Sequence, residues 1–210
     1  MCIKAEEVVH ESNKKECLQF SHKMSQQQQA SDNHKHWDAL ADNKFSISTK
    51  GLDIVWGDDG RFWRKVPISK DDKPELNYGE GMELLQVCWL EVRGTLNLEE
   101  THLLPNKTYK LFYIIKFKVD AFGWDYGPVP LHLVTPDGCK LRRNDNFGVY
   151  KKDAWHKVFG GEFKVGSTGK EIVKFAINGF NTPCWKGGMV LHGVLIEPKD
   201  NHFLYIHIIE

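Results

Sequence analysis

The chain is 210 residues long and carries 28 Lys and Arg against 28 Asp and Glu, so its formal charge is zero. That length supports one domain with a full core plus an extension. The neutral balance gives no reason to expect nucleic acid or an acidic membrane as partner, since both favour a strongly basic face. Seven Trp and twelve Phe suit a β-rich protein, because aromatic side chains pack well on pleated surfaces.

The chain opens on Met1-Cys2-Ile3-Lys4-Ala5-Glu6-Glu7, with no basic segment followed by an apolar run, so no secretory signal is expected. Residues 1–40 are polar, contain Gln26-Gln27-Gln28-Gln29 and show little periodicity. They read as a mobile N-terminal extension to a domain over 41–210. His34-Lys35-His36 could touch a metal but reads as a solvated linker, and no metal or cofactor is expected.

From about Phe45 short runs of Val, Ile, Phe, Tyr and Trp alternate with Gly, Pro, Asp and Asn clusters. The expected strands are 46–56, 61–68, 82–97, 109–121, 129–135, 156–165, 171–178, 189–197 and 203–209. Turn signals such as Gly57-Asp58-Asp59-Gly60 and Pro136-Asp137-Gly138 punctuate them. Many short strands without a long 3.6-residue period predict an all-β antiparallel sandwich or barrel. The 109–121 run reads as a central strand buried on both sides. It also holds Lys110, Lys116 and Lys118, so it is too short and too charged to cross a bilayer. A soluble, cytoplasmic chain without a membrane partner is expected.

Five cysteines, Cys2, Cys17, Cys88, Cys139 and Cys184, stand far apart with no C-x-x-C pair, which argues against structural zinc. In a reducing compartment they are expected as free thiols. Cys2 and Cys17 are the candidates for an intermolecular disulfide on oxidation.

Four segments occur in an order that resembles the phloem protein 2, or Nictaba-like, lectin family. They are Leu52-Asp53-Ile54-Val55-Trp56-Gly57 with Phe62-Trp63; the run from Glu83 through Cys88-Trp89-Leu90 to Gly94; Asp153-Ala154-Trp155-His156-Lys157-Val158 with Gly161-Glu162-Phe163; and Trp185-Lys186-Gly187-Gly188 with Gly193 to Lys199. They span roughly residues 45–200, and the polar extension is similar to that of cucurbit phloem exudate members. The resemblance implies a jelly-roll β-sandwich and carbohydrate binding without catalysis. The ligands it implies are N-acetylglucosamine oligomers, namely chitin fragments and N-glycan cores. It also implies a cytoplasmic homodimer in sieve elements and companion cells, association with a filament-forming phloem protein, and a part in RNA movement.

The resemblance further places two sugar-binding tryptophans on Trp56 and Trp63. A pyranose packs its apolar face on an aromatic ring, and Trp offers the largest. If Phe62 points inward, alternation turns Arg61 and Trp63 outward. Trp56 shares a face with Leu52 and Ile54, so it is either inward or at the rim where its strand ends. A family acid after a late glycine falls on Lys170, with Glu171 one residue on; a one-residue shift reverses the face, so either residue or neither serves. Asp58 and Arg61 are alternative polar partners through charge-assisted hydrogen bonds. Trp185 either lines the site or packs, while Trp89 and Trp155 read as core.

Three rival readings remain at this level. No nucleophile elbow, zinc helix or P-loop is present, and no motif singles out a carboxylate pair, so an enzyme is not expected. A filament-associated structural role would act through Cys2 and Cys17. RNA binding would use a local patch such as Lys140, Arg142, Arg143, Lys151 and Lys152.

Overall fold

The computed structural model describes residues 36–72, 75–179 and 185–199. These form two packed antiparallel sheets with no α-helix among the described residues. The strands are β1 (Trp37–Ala39), β2 (Phe45–Ser48), β3 (Asp53–Ile54), β4 (Trp63–Pro67), β5 (Glu80–Leu84), β6 (Glu91–Asn97), β7 (Thr108–Phe122), β8 (Val129–Val134), β9 (Lys140–Asp145), β10 (Trp155–Lys164), β11 (Ile172–Asn178) and β12 (Gly187–Pro198). The seven-stranded sheet runs β1-β2-β12-β5-β4, with β7 on the other flank of β12 and β10 beyond β7. The five-stranded sheet runs β3-β6-β11-β8-β9. The expected sandwich is therefore what forms, and the sheet takes in Trp37–Ala39, ahead of residue 41.

Strand β7 is two-sided, as its sequence implies. Tyr109, Leu111, Tyr113, Ile115 and Phe117 point into the core between the sheets, whereas Ile114 and Phe112 join a smaller outer cluster. Strand β12 lies beside it and is buried from Gly187 to Ile196. Its core-facing residues are Met189 and Leu191, then Val194 and Ile196. That change of parity requires the bulge between Leu191 and Gly193. Gly193 sits at φ +152, and a Cβ there would meet the backbone oxygen of Ile47. A second bulge between Phe159 and Gly161 does the same for β10, keeping both Val158 and Phe163 inward.

The run 82–97, expected as one strand, is two. Residues 85–90 break away between β5 and β6, tied down by reciprocal backbone bonds between Val87 and Lys186 (2.9 and 2.8 Å). Strand β9 was not foreseen: five of its six residues are exposed and mostly charged, so no apolar alternation marks it. The expected strand 203–209 lies outside the described residues. Cys88 is disulfide-bonded, which corrects the free-thiol expectation for that residue, while Cys139 is an exposed free thiol. Cys2, Cys17 and Cys184 lie outside the described residues.

On the outer face of the seven-stranded sheet, the connection from β4 to β5 brings Leu76 onto Ile114 and Leu195. His192 is buried here at 0% exposure. Its Nε2 bonds the carbonyl of Tyr78 at 2.7 Å, while Nδ1 is buried without a partner. Burial lowers the His192 pKa, with the bond to Tyr78 opposing. Burial therefore favours the neutral ring over the charged one. A depressed histidine pKa contributes stability that is present above the unfolded-state value, near 6.5, and is lost as pH falls below it. Denaturation midpoints measured between pH 7.5 and pH 5 are therefore expected to fall with acid, and His192→Gln is expected to flatten that slope. An unchanged slope in the variant would contradict this.

Candidate functional site

The register gathers five connections at one end of the sandwich: 55–62, 85–90, 123–128, 146–154 and the approach to β12 at 185–186. The opposite end carries 98–107, 135–139 and 165–171. The first end holds most of the residues expected from the sequence.

The 55–62 turn is built around Asp59. Its backbone oxygen accepts from Phe62 N and Trp63 N at 2.9 and 3.0 Å. Its carboxylate takes the Arg61 guanidinium in a fork, with Nε to Oδ1 at 3.0 Å and the terminal nitrogen to Oδ2 at 2.6 Å. The hydrogen bonds from the Arg61 side chain and backbone hold the Asp59 pKa down to about 2. Arg61 thus pairs with Asp59, and its carbon Cζ lies 5.2 Å from the centre of the Phe62 ring. Asp58 is exposed at the tip of the turn.

Trp56 adopts φ +59, a left-handed backbone that bulky residues avoid at a cost on the order of 1 kcal/mol. Its ring packs at 5.1 Å on Phe62, and its indole Nε1 is buried without a partner. Such strain held in place at a turn, with an unspent donor, marks a candidate site. Trp56 is half-buried at the rim, the second of its two sequence-level alternatives.

Trp63 is different. It is 2% exposed, belongs to the core, and donates through Nε1 to the Val55 carbonyl at 3.1 Å. This corrects the outward orientation expected from alternation. Phe62 still belongs to the turn, and β4 starts only at Trp63, so counting the two-residue period from Phe62 has no structural basis. The role of Trp63 in this conformation is to brace the turn from beneath.

Next along this rim, Trp185 is 43% exposed, with a surface ring rather than a packed one. Its neighbour Lys186 is buried, and Nζ lies 3.5 Å from the carbonyls of both Cys88 and Gly179. Phe122 and Tyr126 add exposed rings, at 44% and 72%. The backbone of Trp185 packs against Gly123 and the Phe122 ring against Gly187, so Phe122 and Trp185 are neighbours. Sequence reasoning missed Phe122 and Tyr126; a ring at a strand end and a ring in a Gly-rich loop carry no signal until the loops are placed. The strand order β4-β5-β12-β7 then sets Phe62, Leu85, Gly187 and Phe122 side by side, over about 14 Å at usual strand spacing. Near the Trp56 end, the half-buried Asn178 has an unpartnered Oδ1 beside Glu91, which accepts from Trp89 Nε1 at 3.1 Å and pairs with Arg93 at 2.6 Å. A row of open rings flanked by an unused donor and an unused acceptor can hold a neutral, polyhydroxylated ring ligand.

Lys170 and Glu171 stand at the other end, separated from the 55–62 turn by the length of β6, roughly 20 Å. Glu171 folds back over Gly166, where its Oε1 accepts from Thr168 Oγ1 at 2.7 Å, and that bond lowers its pKa. Lys170 pairs with Glu99 at 3.4 Å. Both residues hold a turn together and take no part in the rim.

The suspected RNA patch is divided. Arg143 turns toward β10, lying 5.2 Å from the Phe159 ring and bonded to Asp145, while Lys151 pairs with Asp125 at 2.8 Å. Among the described residues no cluster could hold a metal ion, and no helix is long and apolar enough to cross a membrane.

The family model for phloem protein 2 matches residues 42–198. The chain belongs to the phloem protein 2 family. Relatives include Protein PHLOEM PROTEIN 2-LIKE A1 of Arabidopsis thaliana, 30% identical over 169 residues, covering 79% of this chain and 66% of the relative. A Lectin of Luffa acutangula is 30% identical over 158 residues, covering 75% and 72%. F-box protein PP2-A13 of Arabidopsis thaliana is 29% identical over 178 residues, covering 74% of this chain and 55% of that protein. The chain therefore spans between about half and three quarters of the length of these relatives. Among solved structures, TmCBM61 in complex with beta-1,4-galactotriose matches with a TM-score of 0.40 at 8% identity, covering 70% of this chain and 87% of that one. A likeness of that size carries nothing about a ligand.

Trp63→Ala is expected to cost about 3–5 kcal/mol in chemical denaturation, as buried-Trp truncations do, and Trp185→Ala no more than about 0.5 kcal/mol. Equal losses would contradict the division between a bracing and a presented tryptophan.

Proposed function

We propose that this phloem protein 2 family member is a carbohydrate-binding lectin, not an enzyme, and that its site is the aromatic rim formed by Trp56, Phe122, Tyr126 and Trp185. The observation that carries the reading is the exposure of Trp185 beside Phe122, at the same end as the strained Trp56 with its unspent indole N–H. Aromatic faces take the apolar side of a pyranose, and the indole N–H donates to a carbonyl such as that of an acetamido group. The ligand class is therefore N-acetylglucosamine oligomers, as in chitin fragments and N-glycan cores. Family membership and the Luffa relative named as a lectin support it. The setting is phloem sap.

A shallow site of this kind yields about 0.3 kcal/mol per heavy atom or less, hence micromolar to millimolar affinity per site. A homodimer with two such rims gains about 10²–10⁴ in avidity on a multivalent glycan.

Isothermal titration with chitotriose tests the reading. The parent is expected to bind, Trp185→Ala to bind about tenfold more weakly, and Glu171→Gln to bind as the parent does. Loss in Glu171→Gln with Trp185→Ala unaffected would move the site to the opposite end. Absence of binding at millimolar sugar would remove the chitin-oligomer specificity.

A further inference from the structure

The outer face of the five-stranded sheet carries a cluster that the rim does not use. Strand parity defines this face, because the intervening residues Val92, Leu96, Val173, Phe175, Leu131 and Leu133 are in the core. Register sets two rows across it. One runs Arg93, Ala176, His132, Arg142, and the next runs Thr95, Lys174, Val134, Lys140.

Arg93 is committed to Glu91 at 2.6 Å and to Asp53 at 3.5 Å. Lys174, Lys140 and Arg142 are exposed, and none of them pairs with an acid among the described residues. At usual strand dimensions their backbone positions form a triangle with sides of roughly 7–12 Å. The floor inside it is low, made by the half-buried His132 and Val134 with the small Ala176 beside them. Burial, and then the charge of Arg142, lower the His132 pKa, so the floor adds a neutral hydrogen-bonding ring at pH 7 rather than another cation.

Three unpaired cations around a shallow floor complement an extended anion. The Arg142 guanidinium matches a carboxylate in a planar fork, and the two ammonium groups act as point charges. Single-stranded nucleic acid would also satisfy charge, but it stacks its bases on aromatic rings. No Trp, Tyr or Phe occupies a strand position of this face. We infer that this face binds an acidic polysaccharide, a chain of carboxylated pyranoses, with Lys140, Arg142 and Lys174 taking the carboxylates. The site is separate from the rim and does not depend on the reading of the rim.

Titration of the full chain with an oligogalacturonate, at low salt and at about 0.15 M ionic strength, tests it. The parent is expected to bind at low salt and to weaken as the screening length falls to about 8 Å. K140E/R142E/K174E is expected to bind at least about tenfold more weakly, with an unchanged thermal midpoint because all three side chains are exposed. The control K65E/K107E/K164E makes the same charge change elsewhere on the surface and is expected to stay within about twofold of the parent. Arg142→Gln and Lys174→Gln singly are each expected to weaken binding several-fold, and they serve if the triple variant fails to fold. Four results would each overturn the inference: no binding by the folded parent at low salt, undiminished binding by the face variants, equal loss in the control, or tighter binding of a single-stranded RNA of matched charge.

Discussion

Strand β12 is the element on which the rest depends. It is hydrogen-bonded on both flanks, to β7 along its length and to β5 and then β2 on the other side, and it is buried on both faces. A strand in that position leaves no solvent-facing side to absorb error. Its apolar residues must reverse parity part-way, which only a bulge achieves, and Gly193 is where the backbone permits it. Its outer side must be covered, which the 68–79 connection does with Leu76 and Tyr78. The acid sensitivity expected of His192 follows from the same arrangement, because a ring sealed beneath that cover cannot accept a proton without burying a charge.

The start of β12 also fixes the rim. Lys186 is drawn inward to the carbonyls of Cys88 and Gly179, and Val87 bonds reciprocally to its backbone, so the 85–90 loop and the approach to β12 are one unit. With Lys186 inward, Trp185 turns outward beside Phe122. On the far side the Asp59–Arg61 clamp closes the 55–62 turn over Trp63, which leaves Trp56 strained at the edge. Burying Trp63 and presenting Trp185 are thus complementary outcomes. Both arise from loops pinned by polar groups, buried at Lys186, half-buried at Asp59 and exposed at Arg61, rather than by apolar packing alone.

Much of the fold was legible because the core writes itself into composition. The runs at 109–121 and 189–197 are dense in β-branched and aromatic residues, and only a buried strand uses such runs at that length. What was not legible was position at the ends of strands. Lys140 to Asp145 forms a strand by pairing with β8, although its own residues carry no apolar alternation. The run 82–97 reads as continuous because Val87 and Leu90 are apolar, yet they are buried by a loop rather than by a strand. Trp56, Asp58, Arg61 and Trp185 lie at one end of the sandwich and Glu171 and Lys170 at the other. Sequence proximity to a glycine turn does not say at which end of the sandwich that turn lies. Phe122 and Tyr126 were invisible for the same reason.

The most direct test of the account is an NMR titration of the isotopically labelled full chain with chitotriose, following backbone amides and tryptophan indole N–H signals. The account predicts shifts confined to residues 55–62, 85–90, 122–126 and 185–187, with the indole signals of Trp56 and Trp185 moving and those of Trp63 and Trp124 still, since both are buried and donate to the backbone carbonyls of Val55 and Gly187. Shifts centred on 165–171, or a spectrum unchanged at millimolar sugar, would contradict it.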